Sequence, residues 1–484
     1  MLHKDQWIAA INRRYGPRYI AIVEALAEMI ETGVLRGEEQ IPTQRELANM
    51  LSLTPGTTAR AYAIAAQRGL IVGETGRGTY VRRDAASPRL PRAAEYAEYV
   101  EARAGAETPQ SAPGDTALLG DLAIPNVIAD NLKSELQPAL RLAADLLPFS
   151  LGRYHPYSAQ VPLHFRETGV RWLAKFGLRV DPEQVVLTSG AHAGLYLILI
   201  SENLRRLPVM SSVLTYAGLR NIAVAHDREV IPVNVDEAGL VPQSIEHACK
   251  AGGRILYVQC HVQNPICVAT PLERRQEIVA LARKFDLVII EDDAAPLAFS
   301  DAIPPLAALA PERTFMISSC AKSIGPTINV GVVSVPSGWA SQLNVAIKTH
   351  HIYASMFNVE VLRVLLQEGA LDRITERSRS MVASRAATAR DLLAPYALTT
   401  HPDSWFAWLE LPNTWTSESF VTAARMQGIA VGGSENFALD GRRPDKNGVR
   451  LSLTSPASEQ ALTTYLQKIR ALLEPLHHQA RALV

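Results

Sequence analysis

The chain has 484 residues, close to half of them apolar and a fifth charged, with 48 basic and 48 acidic side chains. That length predicts two or three domains of a soluble globular protein. Zero net charge excludes a chain that is basic throughout, so any affinity for nucleic acid has to come from a local patch. The four cysteines, Cys249, Cys260, Cys267 and Cys320, form no CxxC pair and are too sparse for a disulfide framework, which suits a reducing cytoplasm. The opening MLHKDQWIAA lacks the apolar core of a signal peptide. The most apolar run, VVLTSGAHAGLYLILI, is interrupted by His192 and is too short for a membrane span.

Along the first eighty residues, YIAIVEALAEMIETG (19–33) carries apolar side chains at helical spacing and ends at a glycine, which predicts a helix. In IPTQRELANML, Thr43 can cap a short helix begun after Pro42. LSLTPG predicts a tight turn into a third helix, TTARAYAIAAQRG, closed by Gly69. LIVGETGRGTYVRR then predicts a hairpin of two short strands around a glycine-rich tip. A helix, a helix-turn-helix and a hairpin in this order describe a winged helix, whose second helix-turn-helix element enters the major groove. From Thr54 to Arg83 the charges are Arg60, Arg68, Arg77, Arg82 and Arg83 against Glu74, a basic patch suited to phosphate.

These motifs resemble the winged-helix domain of the GntR family of bacterial repressors over about residues 17–83. The resemblance implies that Arg45, Thr57 and Arg77 meet DNA, with Arg60 as a further candidate. Thr54-Pro55 stands where many members have Ser-Arg, so the operator is expected to differ from the usual sites.

From Asp84 the composition shifts to prolines, alanines and charges, which predicts a linker over 84–117 between a first domain, 1–83, and a second, 118–484. A helix is expected within it at PRAAEYAEYVEARAG. Beyond it, helical patterns alternate with β-branched runs: QVVLTSG, VIPVNV, ILYVQC, LVIIEDD, TFMISS and NVGVVSV. That alternation predicts an α/β fold with a mostly parallel sheet covered on both faces and ligands outside the strand ends.

Four places on this domain carry chemistry. TSGAHAGLYLILI runs a strand through Ser189, Gly190 and Ala191 into a helix, leaving backbone N–H groups free for an anion. HVQNPIC fixes the amide of Asn264 at a strand end. LVIIEDD puts Glu291, Asp292 and Asp293 at another strand end, where a carboxylate can bind a metal, act as a base or hold a protonated ring nitrogen. No metal-ligand spacing accompanies it. In SSCAKSIGPTINVG a single lysine, Lys322, stands among small residues, and a partly desolvated lysine can react with a carbonyl. Pyridoxal phosphate needs a lysine, an acid at its ring nitrogen and a phosphate cradle.

The order cradle, acid, lysine is similar to that of the fold-type I aminotransferases from roughly Leu118 onward. The resemblance implies that Lys322 carries pyridoxal 5'-phosphate, that Asp292 pairs with its ring nitrogen and that Asn264 reaches its ring hydroxyl. It further implies that Ser189, Gly190 and Ala191 face the phosphate with Ser319 close by, that Tyr216 stacks on the ring, and that Arg450 holds a substrate carboxylate. A GntR winged helix joined to such a domain resembles the MocR/GabR regulators. Those regulators bind a double-stranded DNA operator, respond to the cofactor and often to an amino-acid-like effector, and form head-to-tail homodimers. Three departures gather at the cofactor: Ala321 in place of serine, Asn329 in place of an arginine, and Ala294 in place of a tyrosine. Loss of the arginine alone is expected to weaken cofactor binding roughly ten- to a hundredfold. The expectation is a weakened or remodelled site, one that senses vitamin B6 itself or another ligand, with His192 and Arg220 as candidates to compensate. A working aminotransferase that also binds DNA, and a regulator whose large domain has lost the cofactor, are the alternatives.

Overall fold

The computed structural model describes residues 4–12, 18–74, 77–82, 120–125, 132–151, 161–294, 303–439 and 446–474. The chain divides into two compact units, Met1–Pro113 and Gly114–Val484. The helix expected at 91–105 lies outside the described residues.

In the first unit, α1 (Lys4–Asn12) sets Trp7 and Ile11 into a core shared with α2 (Arg18–Glu31); α1 is not among the elements expected from the sequence. After β1 (Gln40–Ile41), α3 (Gln44–Leu51) begins at Thr43 as expected. The Thr43 hydroxyl accepts from the Glu46 N–H, and the Glu46 carboxylate accepts from the Thr43 N–H at 2.8 Å, so two otherwise orphaned donors are satisfied. Ser52 ends α3 in the left-handed region at φ +54°. Helix α4 (Pro55–Gln67) starts at Pro55, ahead of the Thr57 start expected from sequence, because proline at the first helical position lacks only an N–H that would be unpaired anyway. The Thr58 hydroxyl donates to the Gln44 carbonyl at 2.9 Å, fixing α4 against the start of α3. Strands β2 (Ile71–Glu74) and β3 (Gly78–Val81) form the expected antiparallel hairpin, with Ile71 opposite Val81, and β1 pairs with β3 to make a three-stranded sheet.

The second unit begins with β4 (Gly120–Leu122). Strands β5 (Val185–Thr188), β6 (Val209–Ser212) and β7 (Val230–Val233) follow, then a short hairpin of β8 (Val235–Asp236) and β9 (Gly239–Leu240). Strands β10 (Ile255–Val258), β11 (Val288–Asp293), β12 (Thr314–Ser319) and β13 (Gly331–Ser334) complete a seven-stranded sheet in the order β5-β13-β12-β11-β10-β6-β7. It is mostly parallel, as expected, with β13 alone antiparallel to its neighbours. Its middle strands are apolar on both faces: Ile289, Ile290, Phe315 and Ile317 are fully buried, and burial of each such side chain contributes roughly 1.5–3 kcal/mol. A second sheet, β14 (Leu398–Thr399), β15 (Phe406–Glu410), β17 (Gly448–Ser452), β16 (Ile429–Gly433) and β4 in that order, is not among the expected elements. Within it β17 carries Arg450 beside β15, opposite Trp408.

No helix among the described residues is long and apolar enough to cross a membrane.

Candidate functional site

The site gathers where the parallel strands end, as crossover sheets dictate. Of the three acids closing β11, Glu291 accepts the N–H of Ala307 at 3.0 Å and is buried in that task. Asp292, 5% exposed, has Oδ2 bonded to the phenol of Tyr257 at 2.5 Å, while its Oδ1 is buried with no hydrogen-bond partner. Burial, helped by the Asp293 charge, pushes the Asp292 carboxyl up to about 6, against the opposing pull of the Tyr257 hydrogen bond and, more weakly, of the Ala294 N–H. A buried carboxylate oxygen without a donor is costly unless a ligand supplies one. Tyr216 stands before the helix Ala217–Ala225, half-buried, its hydroxyl 3.3 Å from Nδ1 of His192. Burial first, and then the Asp292 charge, raise the Tyr216 phenol above its ordinary value.

Lys322 lies one turn past β12, in the short helix Ala321–Ile324, half-buried. Burial, and then the charge of Arg450, pull its ammonium below the ordinary value, which favours the free amine. Its Nζ donates to the Pro125 carbonyl at 3.2 Å. Arg450 donates from Nη1 to Oδ1 of Asn264 at 2.8 Å and from Nη2 to the Ala123 carbonyl at 2.6 Å, and its Nε is buried without a partner. Its guanidinium carbon lies 4.6 Å from the Phe437 ring centre and 5.1 Å from that of Phe406. Burial lowers the Arg450 guanidinium to about 10. The segment Ala123–Pro125 thus presents carbonyls to both cations, and the Ser455 hydroxyl holds it by donating to the Ile124 carbonyl.

The strand, glycine and helix start follow one another as the sequence suggests. Gly190, at φ +98°, precedes the helix Ala191–Ile200, and no side chain caps its first N–H groups. Asn329 packs against Gly190. Its Nδ2 donates to the Ser189 carbonyl at 3.1 Å, and the Ser319 hydroxyl lies 3.5 Å from its Oδ1. A Cβ on Gly190 would fall 2.4 Å from the Asn329 carboxamide, and the φ of +98° strains any side chain there. Arg220, one candidate to compensate for Asn329, is instead engaged: its Nη1 donates to the carbonyls of Glu435 and Ala438. His192 is taken up with Tyr216.

Pyridoxal phosphate offers a ring nitrogen, an aldehyde and a phosphate, and the residues fit these unequally. Asp292 Oδ1 fits a protonated ring nitrogen, and Lys322 fits the aldehyde. The phosphate end offers backbone N–H groups, the Ser319 hydroxyl and a neutral amide, with no cation bonded to Ser189, Gly190, Ala191, Ser319 or Asn329 among the described residues. Sequence reasoning missed three contributors: Tyr257, the Ala123–Pro125 segment and the aromatic pair Phe406 and Phe437. Tyr257 carries a faint signal as the one polar tip within the buried run ILYV. The other two depend on the second sheet.

In the first unit, Arg45 on α3 and Arg60 on α4 are exposed, as is Arg77 at the hairpin tip. The Arg60 guanidinium stacks 4.2 Å from the Tyr19 ring centre. Thr57 is half-buried, its hydroxyl 2.9 Å from that of Thr54.

Residues 18–81 match the bacterial regulatory proteins of the gntR family, and residues 142–469 match aminotransferase class I and II. The chain is 25% identical over 471 residues to an uncharacterized HTH-type transcriptional regulator, YdeF, of Bacillus subtilis, covering 97% of each chain. It is 29% identical over 388 residues to the HTH-type pyridoxine biosynthesis transcriptional regulator PdxR of Corynebacterium glutamicum, covering 77% of this chain and 78% of that one. Among solved structures it is similar to an archaeal alanine:glyoxylate aminotransferase, with a TM-score of 0.66, 20% identity and coverage of 78% of this chain and 94% of the other. That likeness shows the fold. The second unit has the fold of the pyridoxal-phosphate aminotransferases, and the chain belongs to the aminotransferase class I and II family, in the MocR/GabR arrangement that places a GntR-type helix-turn-helix domain ahead of it.

Proposed function

We propose that this DNA-binding transcription regulator uses Lys322 and Asp292 to bind a vitamin B6 aldehyde, pyridoxal phosphate being the family's cofactor, and that the bound ligand changes how its winged helices hold an operator. The observation that supports the reading is the buried Oδ1 of Asp292 at the end of β11, beside β12, which leads into the helix of Lys322, whose ammonium burial pulls below its ordinary value. When bound, the cofactor supplies an aldehyde that amines capture reversibly. Around it, Asp292 holds the ring proton, Tyr216 flanks the ring, and Asn264 reaches the ring hydroxyl. Ser189, Gly190, Ala191 and Ser319 line the far end. Arg450 takes the carboxylate of an amino-acid-like effector in place of the Ala123 carbonyl, between two aromatic rings suited to a guanidinium.

On the DNA side, Arg45, Arg60 and Arg77 supply cations to phosphates and base edges, and Thr57 adds a hydroxyl near the start of α4. The regulator works in the cytoplasm as a head-to-tail homodimer, so that ligand-dependent states of the large domains reach both half-sites. A visible absorbance titration of the purified full chain with pyridoxal phosphate, beside Lys322→Ala, tests the ligand half of this reading. A visible band present in the wild type and absent in the variant supports it. A wild type without a lysine-dependent band, with the phosphate or with its unphosphorylated aldehyde, overturns it.

A further inference from the structure

We infer that the pocket accepts pyridoxal, the vitamin B6 aldehyde without its phosphate, at least as tightly as the phosphorylated form. The inference rests on the reading that Lys322 and Asp292 bind a B6 aldehyde, and it concerns the opposite end of that ligand. There the uncapped N-terminus of the helix Ala191–Ile200 meets the Asn329 carboxamide, which packs against Gly190 and donates to the Ser189 carbonyl at 3.1 Å. The amide is a neutral group beside that helix terminus, with one N–H given to the Ser189 carbonyl. Ser319 supplies a hydroxyl, itself accepting the Ala321 N–H at 3.2 Å. Of the two side chains that could compensate, His192 faces the Tyr216 hydroxyl and Arg220 donates to the carbonyls of Glu435 and Ala438.

A phosphate monoester carries about −1.5 to −2 charge near neutral pH. Moving that charge out of water against one helix terminus and neutral dipoles recovers only part of its hydration. It also requires the Asn329 side chain to leave Gly190 and break its bond to Ser189. The hydroxymethyl group of pyridoxal is neutral and smaller by the whole phosphoryl group. One donor and one acceptor satisfy it, and Asn329 and Ser319 present both. The ring nitrogen and the aldehyde, which the two vitamers share, meet Asp292 and Lys322 alike, so the discrimination falls on this end alone.

The test is a visible absorbance titration of the full chain with pyridoxal and with pyridoxal phosphate, for wild type, Asn329→Arg and Lys322→Ala. Pyridoxal concentrations are corrected to the open aldehyde, since in water it closes on its own hydroxymethyl group. The wild type should bind pyridoxal as tightly as its phosphate or more tightly. Asn329→Arg should tighten pyridoxal phosphate by about 10- to 100-fold and change pyridoxal by less than about threefold, the size of one charge-assisted hydrogen bond made to phosphate only. A wild type that binds the phosphate more than about tenfold tighter than pyridoxal overturns the inference and leaves the lysine site standing. That ratio decides the matter even if the arginine variant does not fold. A lysine-dependent band with neither vitamer overturns both.

Discussion

The Tyr257 phenol donates to Oδ2 of Asp292 at 2.5 Å, from one buried strand to the next, while Oδ1 of the same carboxylate makes no hydrogen bond of ordinary geometry and the Ala294 N–H pulls on the acid only weakly. The bond orients the acid without neutralising it. Asp292 therefore titrates at about 6, high for an aspartate, because burial outweighs the help of the phenol. Only the carboxylate can hold a protonated ring nitrogen, so ligand binding should weaken as pH falls through about 6. Tyr257→Phe removes a hydrogen bond that favours the charged form, and should move this acid limb to higher pH. Absorbance titrations from pH 5 to 8 measure both profiles; identical limbs would remove Tyr257 from the account.

The same burial has a stability consequence. A carboxyl whose folded value is raised contributes stability below its unfolded value, near 4, that is lost as pH rises through the folded value. At pH 8 the Asp292 charge thus opposes folding. Asp292→Asn should stabilise the ligand-free protein there by about 1–3 kcal/mol, with the gain shrinking toward pH 5, while abolishing pH-dependent ligand binding. Thermal melts at the two pH values check it. A destabilised variant at pH 8 would mean that the carboxylate is a structural anchor.

Arg450 should separate effector from cofactor. Arg450→Ala is expected to abolish the response to amino-acid-like carboxylates while leaving the visible band intact. Arg450→Lys should not rescue it, because an ammonium cannot replace the fork that bridges Asn264 and Ala123 between two rings. Calorimetric titration with a panel of amino acids reads the loss. Loss of the band together with the response would mean a structural role.

On the DNA side, Arg45→Ala should weaken operator binding in a gel-shift titration and lower its salt dependence, without changing the melting temperature, since the side chain is exposed. Thr43→Ala should do the reverse in part. It removes the reciprocal cap of α3 and should cost about 1 kcal/mol of stability in the first unit.

Much of this architecture is legible in the amino-acid sequence. The winged helix follows from local signals: a Thr43 cap, proline at the start of α4, and glycine punctuation around a hairpin. The parallel sheet follows from β-branched runs alternating with helices, and the site from polar residues stranded at their ends. What escapes has a common cause. The second sheet is built of short strands such as IAVGG and GVRLS, whose patterns do not alternate cleanly, and IAVGG also pairs with β4 at the far start of the unit. With it go the surroundings of Arg450, since Phe406 and Phe437 meet that residue only through the second sheet and its loops. Helix α1 escapes because its short run has only two large anchors, Trp7 and Ile11, facing the core. Arg220 is a plausible phosphate ligand by position, yet the carbonyls of Glu435 and Ala438 claim it, which no local pattern reveals.

The most direct test couples the two ends of the chain. An operator selected from a random duplex pool is titrated with wild type and with Lys322→Ala, each with and without saturating pyridoxal or pyridoxal phosphate. The account predicts that ligand changes the wild-type affinity by about 5- to 150-fold, the usual span of allosteric coupling, and leaves the variant unmoved. Equal shifts in both proteins, or a ligand that binds at Lys322 and shifts neither, would contradict it.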